Sequence, residues 1–282
     1  MLSIQEFVQP KTIEEAYSIL VKRQNNAILG GCAFLRLGSR KIETAVDLSL
    51  LDLNYLKAQG EYIEIGAQTT FRELETSALL ADNFNNILAR AVESIIGVQL
   101  RNIVTVGASV YSKYGFSNLI TALSVLETEV ELHKAGRMSL TEFLDMPNNN
   151  RDILTRIFIK KDERRASYQD LRKSASDFAI LNAAVSKYNN HWTIAVGARP
   201  QRAVIAQQAS RELSAWSSVA ANLNAVSKPE VNPQGDFNIE QVAQLAAREV
   251  AFGTNTRGSA SYRQEMCRVL VKRAIREVLA CS

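Results

Sequence analysis

The chain has 282 residues, with 33 Lys and Arg against 29 Asp and Glu, giving a formal net charge of +4. Its 46% apolar and 22% charged residues suit a globular protein and argue against disordered or fibrous classes. So balanced a charge argues against a nucleic-acid binder, and no apolar run reaches the roughly 18 residues of a membrane span.

Elements follow in chain order. The N-terminus Met1–Phe7 lacks the basic-then-apolar pattern of a secretory signal. Thr12 with Glu15 three residues on reads as a capping box opening a helix, with Ala16, Ile19, Leu20 and Val21 on its apolar face. Ala27-Ile28-Leu29 reads as a short buried strand ending at Gly30-Gly31, and Ala45–Leu48 as the next strand. Tyr62–Ala67 alternates as a half-buried strand, after which Thr70 caps a helix through Glu73 and Leu74. Ile87–Ile96 is helical in pattern, and Arg101–Ser109 reads as a β-rich turn segment. Leu119–Leu126 is a buried helix, Glu129–Leu132 a strand, Ser139 with Glu142 a third capped helix, and Ile153–Ile159 a strand. Ala179–Lys187 and Trp192–Val196 form a hairpin about Asn189-Asn190. Trp192 and Trp216 read as core or interface aromatics and His191 as exposed. Ala-rich helices follow, split by the polar segment Ser227–Asn238, and a final helix spans Tyr262–Leu279 with Met266, Val269, Leu270, Ile275 and Val278 near one face.

Three cysteines, Cys32, Cys267 and Cys281, form no CxxC pair, and the odd count points to a reducing, cytoplasmic setting. Two histidines, His133 and His191, stand far apart without ligand spacing, so neither a metal nor a cluster held by this chain is expected. Two small-residue turns remain: Leu29-Gly30-Gly31-Cys32-Ala33-Phe34 and Thr105-Val106-Gly107-Ala108-Ser109. Small residues let main-chain N–H groups approach and cradle a diphosphate, and hydroxyls add donors. Taken alone, each turn reads first as a plain structural turn. Neither is a GxGxxG or a Walker sequence, which excludes Rossmann and P-loop readings. The run Arg151–Lys173 carries eight Lys and Arg against four Asp and Glu, either a solvated surface or a dock for an acidic partner.

In order along nearly the whole chain stand Leu29-Gly30-Gly31, Val46-Asp47-Leu48, Ile65–Thr70 with Glu73-Leu74, Arg101-Asn102 leading to Thr105-Val106-Gly107, Ser176–Ala179, and Arg257–Ala260 with Tyr262-Arg263. On these blocks the chain resembles the FAD-binding medium subunits of the molybdenum hydroxylases, the group of xanthine, carbon monoxide and nicotinate dehydrogenases. The resemblance implies an α+β protein. Residues 1–55 and 56–165 would form a two-subdomain FAD-binding fold of the vanillyl-alcohol-oxidase type, and residues 166–282 a C-terminal domain with an antiparallel sheet and helices. It implies that Leu29, Gly30, Gly31, Cys32, Ala33 and Phe34, together with Thr105, Val106, Gly107, Ala108 and Ser109, clasp the FAD pyrophosphate. Asn118 would help hold the ribityl or pyrophosphate region, and Asp177 would lie near the flavin ring. No catalytic acid or base and no metal is expected from this chain. Electrons would pass from a molybdopterin large subunit through an iron–sulfur small subunit to FAD, then to an acceptor such as NAD, with neither nucleic acid nor membrane as partner.

The chain departs from the family pattern at Cys32 (usually Thr) and Ala33 (commonly polar), at Ala108-Ser109 (usually Gly-Asn) and at Asn118 (usually Asp). It also departs at Tyr111–Gly115, where small residues and Ser-Pro are common. Because main-chain donors survive these changes, FAD is expected to bind. The alternatives are a flavin-free structural subunit that keeps the fold and its interfaces, and a stand-alone flavin reductase like the UDP-N-acetylenolpyruvoylglucosamine reductases. The Arg257–Arg263 block argues against the second.

Overall fold

A short parallel βαβ unit opens the chain. The computed structural model describes residues 1–224 and 233–281. Strand Ser3–Val8 lies parallel to Lys41–Asp47, which in turn lies parallel to Ala27–Leu29. Helix Ile13–Lys22 makes the crossover between the first two strands in sequence. Thr12 caps it by accepting the Glu15 amide at 3.2 Å, but the Glu15 carboxylate accepts from Lys11 N at 2.9 Å, so the expected box is offset by one residue. Ala16, Leu20, Val46, Leu48 and Ile153 form one buried cluster here, and Ala27, Ile42 and Ala45 a smaller one.

An antiparallel five-stranded sheet follows, ordered Leu56–Gln59, Tyr62–Gly66, Leu154–Lys160, Thr128–Leu132, Gly136–Ser139. Ile63, Ile65, Val130, Ile157 and Ile159 sit on its buried side, each at most 1% exposed, the period-two pattern of a half-covered sheet. Helices Phe71–Thr76 and Leu140–Asp145 each begin with a complete capping box, Thr70/Glu73 and Ser139/Glu142. Both sheets belong to a first compact unit made of Met1–Leu79, Ile95–Lys113 and Glu127–Lys161.

The second unit comprises Leu80–Ser94, Tyr114–Leu126 and Asp162–Ser282. Its four-stranded antiparallel sheet has the order Val204–Ile205, His191–Gly197, Leu181–Tyr188, Arg165–Leu171. The predicted hairpin is present, Tyr188 pairing with His191 across Asn189 at φ 53°. Leu181, Val185, Trp192, Ile194 and Val196 pack with Leu213, Ala243, Ala246, Leu270, Ala274 and Val278 of the helices Gln207–Asn224, Pro233–Glu249 and Ala260–Ala280. Trp192 is fully buried and His191 exposed.

Three sequence expectations need correction. Arg101–Ser109 is not β-rich: a helical turn Val98–Arg101 leads to extended Thr105, then helix Val106–Tyr111. Tertiary contacts override the β-branched run there, because Thr69 O and Ala67 O accept from Val106 N and Gly107 N at 2.8 Å each. The helix expected to reach Ile96 closes at Glu93, short of Gly97 at φ +75°. Of the polar segment Ser227–Asn238, residues 227–232 lie outside the described residues, and 233–238 begin a helix with Pro233 at its first position.

Candidate functional site

The two small-residue turns meet within the first unit. A Cβ added to Gly30 would fall 2.5 Å from the Ala108 methyl and 3.0 Å from Thr105 Oγ1. One added to Gly31 would fall 1.4 Å from the Ile103 carbonyl oxygen. A Cβ on Gly107 would meet Ala67, with the Ala67 methyl at 2.6 Å and its carbonyl oxygen at 2.8 Å. These glycines let one stretch of chain lie directly on another.

The turns differ in what they leave available. In the second, Val106 N and Gly107 N are engaged as above, Ala108 N reaches Thr105 Oγ1 at 3.4 Å, and Ser109 N donates to Thr105 O at 3.1 Å. Thr105, Val106 and Gly107 are buried, while Ala108 and Ser109 are half-buried. In the first turn, Gly31 is exposed, at φ +66°, and Cys32 follows at φ 56°, a strained position for a residue with a side chain. The amides of Gly31, Cys32 and Ala33 donate to no acceptor among the described residues. Three consecutive donors on a left-handed bend can converge on an anion's oxygens.

Cys32 adds no thiolate to this bend. Its burial, then the Asp47 carboxylate, push the thiol up, outweighing a hydrogen bond from the Gly30 backbone. Leu29 ends its strand beside Asp47, Phe34 precedes the turn Leu35–Leu37, and Ala33 is buried at 8% exposure.

The wall beneath the first turn is itself braced. Arg101, 8% exposed, gives Nε and Nη2 to the two oxygens of Glu75 at 2.7 and 3.0 Å, and Nη1 to Ile95 O at 2.5 Å. Burial pushes the Glu75 carboxyl up, but the hydrogen bonds and charges of Arg101 and Arg72 more than offset it, leaving it below the usual carboxylate range. Nothing in the sequence joins Arg101 to Glu75, 26 residues away. A lone glutamate in the last turn of a short helix carries no signal until the fold places it.

Asn118 and Asp177 belong to the second unit. Asn118 is 5% exposed; its Nδ2 donates to Ala91 O at 3.1 Å and its Oδ1 accepts from Asn182 Nδ2 at 3.1 Å. Asp177 accepts from Phe178 N at 2.8 Å and pairs with Arg257 at 3.2 Å. Both side chains therefore do local work in that unit. Four of the eight cations of the basic run Arg151–Lys173 are likewise engaged. Arg151 donates to Leu20 O and Asn26 O, Arg156 pairs with Glu64 and Glu131, Arg164 with Asp162, and Arg172 with Asp170. No helix among the described residues is long and apolar enough to cross a membrane.

A family model described as "FAD binding domain in molybdopterin dehydrogenase" matches residues 2–160. The glyceraldehyde dehydrogenase medium chain of Sulfolobus acidocaldarius is 22% identical over 96% of this chain and 97% of its own length. The nicotinate dehydrogenase FAD-subunit of Eubacterium barkeri is 26% identical over 57% of this chain and 60% of that one. Among solved structures, a chain of the CO dehydrogenase of Oligotropha carboxidovorans superposes with a TM-score of 0.84 at 21% identity, covering 99% of each chain. A chain of quinoline 2-oxidoreductase from Pseudomonas putida 86 gives a TM-score of 0.81 at 19% identity, over 98% of this chain and 96% of that one.

Proposed function

Since the chain belongs to the family of FAD-binding domains in molybdopterin dehydrogenases, we propose that it is the flavin-bearing subunit of a molybdenum hydroxylase complex. The reading takes residues 1–55 and 56–165 as the FAD-binding subdomains of the vanillyl-alcohol-oxidase type and 166–282 as a C-terminal domain. Electrons would arrive from an iron–sulfur subunit served by a molybdopterin subunit, with NAD as an acceptor. The names of the two relatives, one a medium chain and one an FAD-subunit, support a place in an assembly.

The observation that carries the reading is the set of unengaged amides at Gly31, Cys32 and Ala33. A diphosphate needs several donors in a small space, and three consecutive amides of this bend offer them. Leu29–Phe34 would supply those donors, and Thr105–Ser109 the facing wall. On that wall the Ser109 hydroxyl, without a hydrogen bond among the described residues, is the accessible side-chain donor. Asn118 and Asp177 enter through the resemblance alone; the bonds they make now are to Ala91, Asn182, Phe178 and Arg257. Bound FAD would supply the redox chemistry, and the protein's part is to bind, orient and shield it.

The discriminating measurement is a ligand series on the purified full chain. FAD should be retained through gel filtration, with its visible band near 450 nm, an approximate property of the free cofactor. Riboflavin, which has the same ring but no phosphate, should be lost. Equal retention of both would remove the amide bend from the reading. A second reading, a flavin-free structural subunit, is favoured by the Ala108 methyl against Gly30 and by the engaged amides of the second turn. Failure to retain FAD at any concentration would select it.

A further inference from the structure

We propose that Arg101 is a positioning residue for the cofactor bend, acting through the backbone of Ile103 and Val104. The inference rests on the reading of Gly31–Ala33 as a diphosphate cradle.

The three amides make no hydrogen bond among the described residues, and the bend is held by Arg36 N, which donates to Cys32 O at 3.3 Å, and by the segment beneath it. What lies beneath Gly31 is the Ile103 carbonyl, close enough that a Cβ on Gly31 would overlap it at 1.4 Å, with Val104 N 3.4 Å from the same point. A shift of Ile103 of even a few tenths of an ångström therefore moves or frees the bend. Ile103 N and Val104 N both donate to Leu100 O, at 3.1 and 3.0 Å, and Val104 O accepts from Phe71 N at 2.9 Å. That segment leaves the helical turn Val98–Arg101, whose last residue is the clamp.

Arg101 grips in two directions. Its fork holds the Glu75 carboxylate in bidentate fashion, tying the segment to helix Phe71–Thr76, and its Nη1 holds Ile95 O at the other end of the loop. A planar fork with a third donor makes these bonds together; an ammonium cannot reproduce the geometry. Burial pushes the Glu75 carboxyl up, but the hydrogen bonds and charges of Arg101 and then of Arg72, at 2.9 Å, bring it below its ordinary value, so the clamp is ionic at neutral pH. No atom of Arg101 is placed on the cofactor. Its effect is mechanical.

The test compares wild type with Arg101→Lys, Arg101→Gln, Arg101→Glu, Glu75→Gln and the double variant Arg101→Glu with Glu75→Arg in the full chain. FAD affinity is measured by flavin fluorescence, the melting midpoint without flavin, and amide exchange at Val104 and Phe71 without flavin. Arg101→Gln should weaken FAD by about tenfold, the loss expected when a charge-assisted network is cut. Exchange at Val104 and Phe71 should accelerate. Arg101→Lys should fall between, and the charge-swapped pair Arg101→Glu with Glu75→Arg should recover part of the affinity that Arg101→Glu alone loses. Glu75→Gln keeps the Ile95 contact and serves if Arg101→Gln does not fold. Unchanged exchange and unchanged FAD affinity in both Arg101→Gln and Glu75→Gln would overturn the proposal, as would a drop in melting midpoint with no change in either readout. If wild type takes no FAD, the cradle reading falls. The exchange data then still decide whether Arg101 orders the segment under Gly31.

Discussion

Gly31 meets two separate demands. Its φ of +66° is one that side chains resist, and the space where a Cβ would go already holds the Ile103 carbonyl oxygen. Gly60 and Gly136 share the first demand, with φ of +58° and +76°, but a Cβ on either would meet nothing within 4 Å. Alanine at Gly60 or Gly136 should therefore cost about 1 kcal/mol, the strain of the left-handed region alone. At Gly31 the same change adds a backbone overlap and should cost about 3 kcal/mol or more. Urea unfolding of the flavin-free chain reads the difference directly, and equal midpoints for Gly31→Ala and Gly60→Ala would refute the close approach. The double glycine was legible in the sequence, but its reason was not. Ile103 and Ala108 lie far along the chain from Gly31 and Gly30, and only the fold shows that they occupy the space a Cβ would take there.

At the scale of elements, the caps were legible because their partners are three residues away: Thr70 with Glu73 and Ser139 with Glu142 close as expected. The Arg101–Ser109 segment was not, since its conformation answers to Thr69 and Ala67 rather than to its own β-branched residues. The same long-range logic governs Glu277 on helix Ala260–Ala280. Its carboxylate accepts from Ser167 Oγ and Gln169 Nε2 at 2.7 Å each and pairs with Arg90, joining that helix to strand Arg165–Leu171 and helix Ile87–Glu93. Burial pushes this carboxyl up, yet the hydrogen bonds from Ser167, Arg90 and Gln169 and the Arg90 charge bring it below its ordinary value. A folded-state value that is lowered means stability present above the ordinary glutamate range, near 4.3, and lost as pH falls through the folded value. Glu277→Gln should thus cost about 1–2 kcal/mol at neutral pH. The gap between variant and wild type should close on acidification toward the value in the folded protein. A gap independent of pH would show that the carboxylate's charge contributes nothing.

Over the whole molecule, the division into units shows most clearly what contiguous reading misses. The C-terminal sheet announces itself through the Asn189-Asn190 hairpin, but Leu80–Ser94 and Tyr114–Leu126 join that same unit from the middle of the chain. Nothing local marks them: helix Asn118–Leu123 is buried on every side, and its polar anchor Asn182 lies in a strand far downstream. Both turns belong to the first unit, so the proposed site predicts where flavin binding should stabilise the chain and by how much. A ligand that binds only the folded state adds RT ln(1 + [L]/Kd), about 2.7 kcal/mol at a hundredfold excess over Kd. With FAD in that excess, native-state exchange at Ile157, in the core of the five-stranded sheet, should slow by the full factor, about a hundredfold. Val185 and Ile194, in the other core, should slow as much only if both units open in one cooperative step. Riboflavin at the same concentration should leave Ile157 unchanged. Slowing confined to the second core would place the flavin's grip away from Gly31–Ala33 and remove the basis of the proposed site, whereas slowing at Ile157 with FAD and not with riboflavin can come only from contacts made to the phosphates or the adenosine.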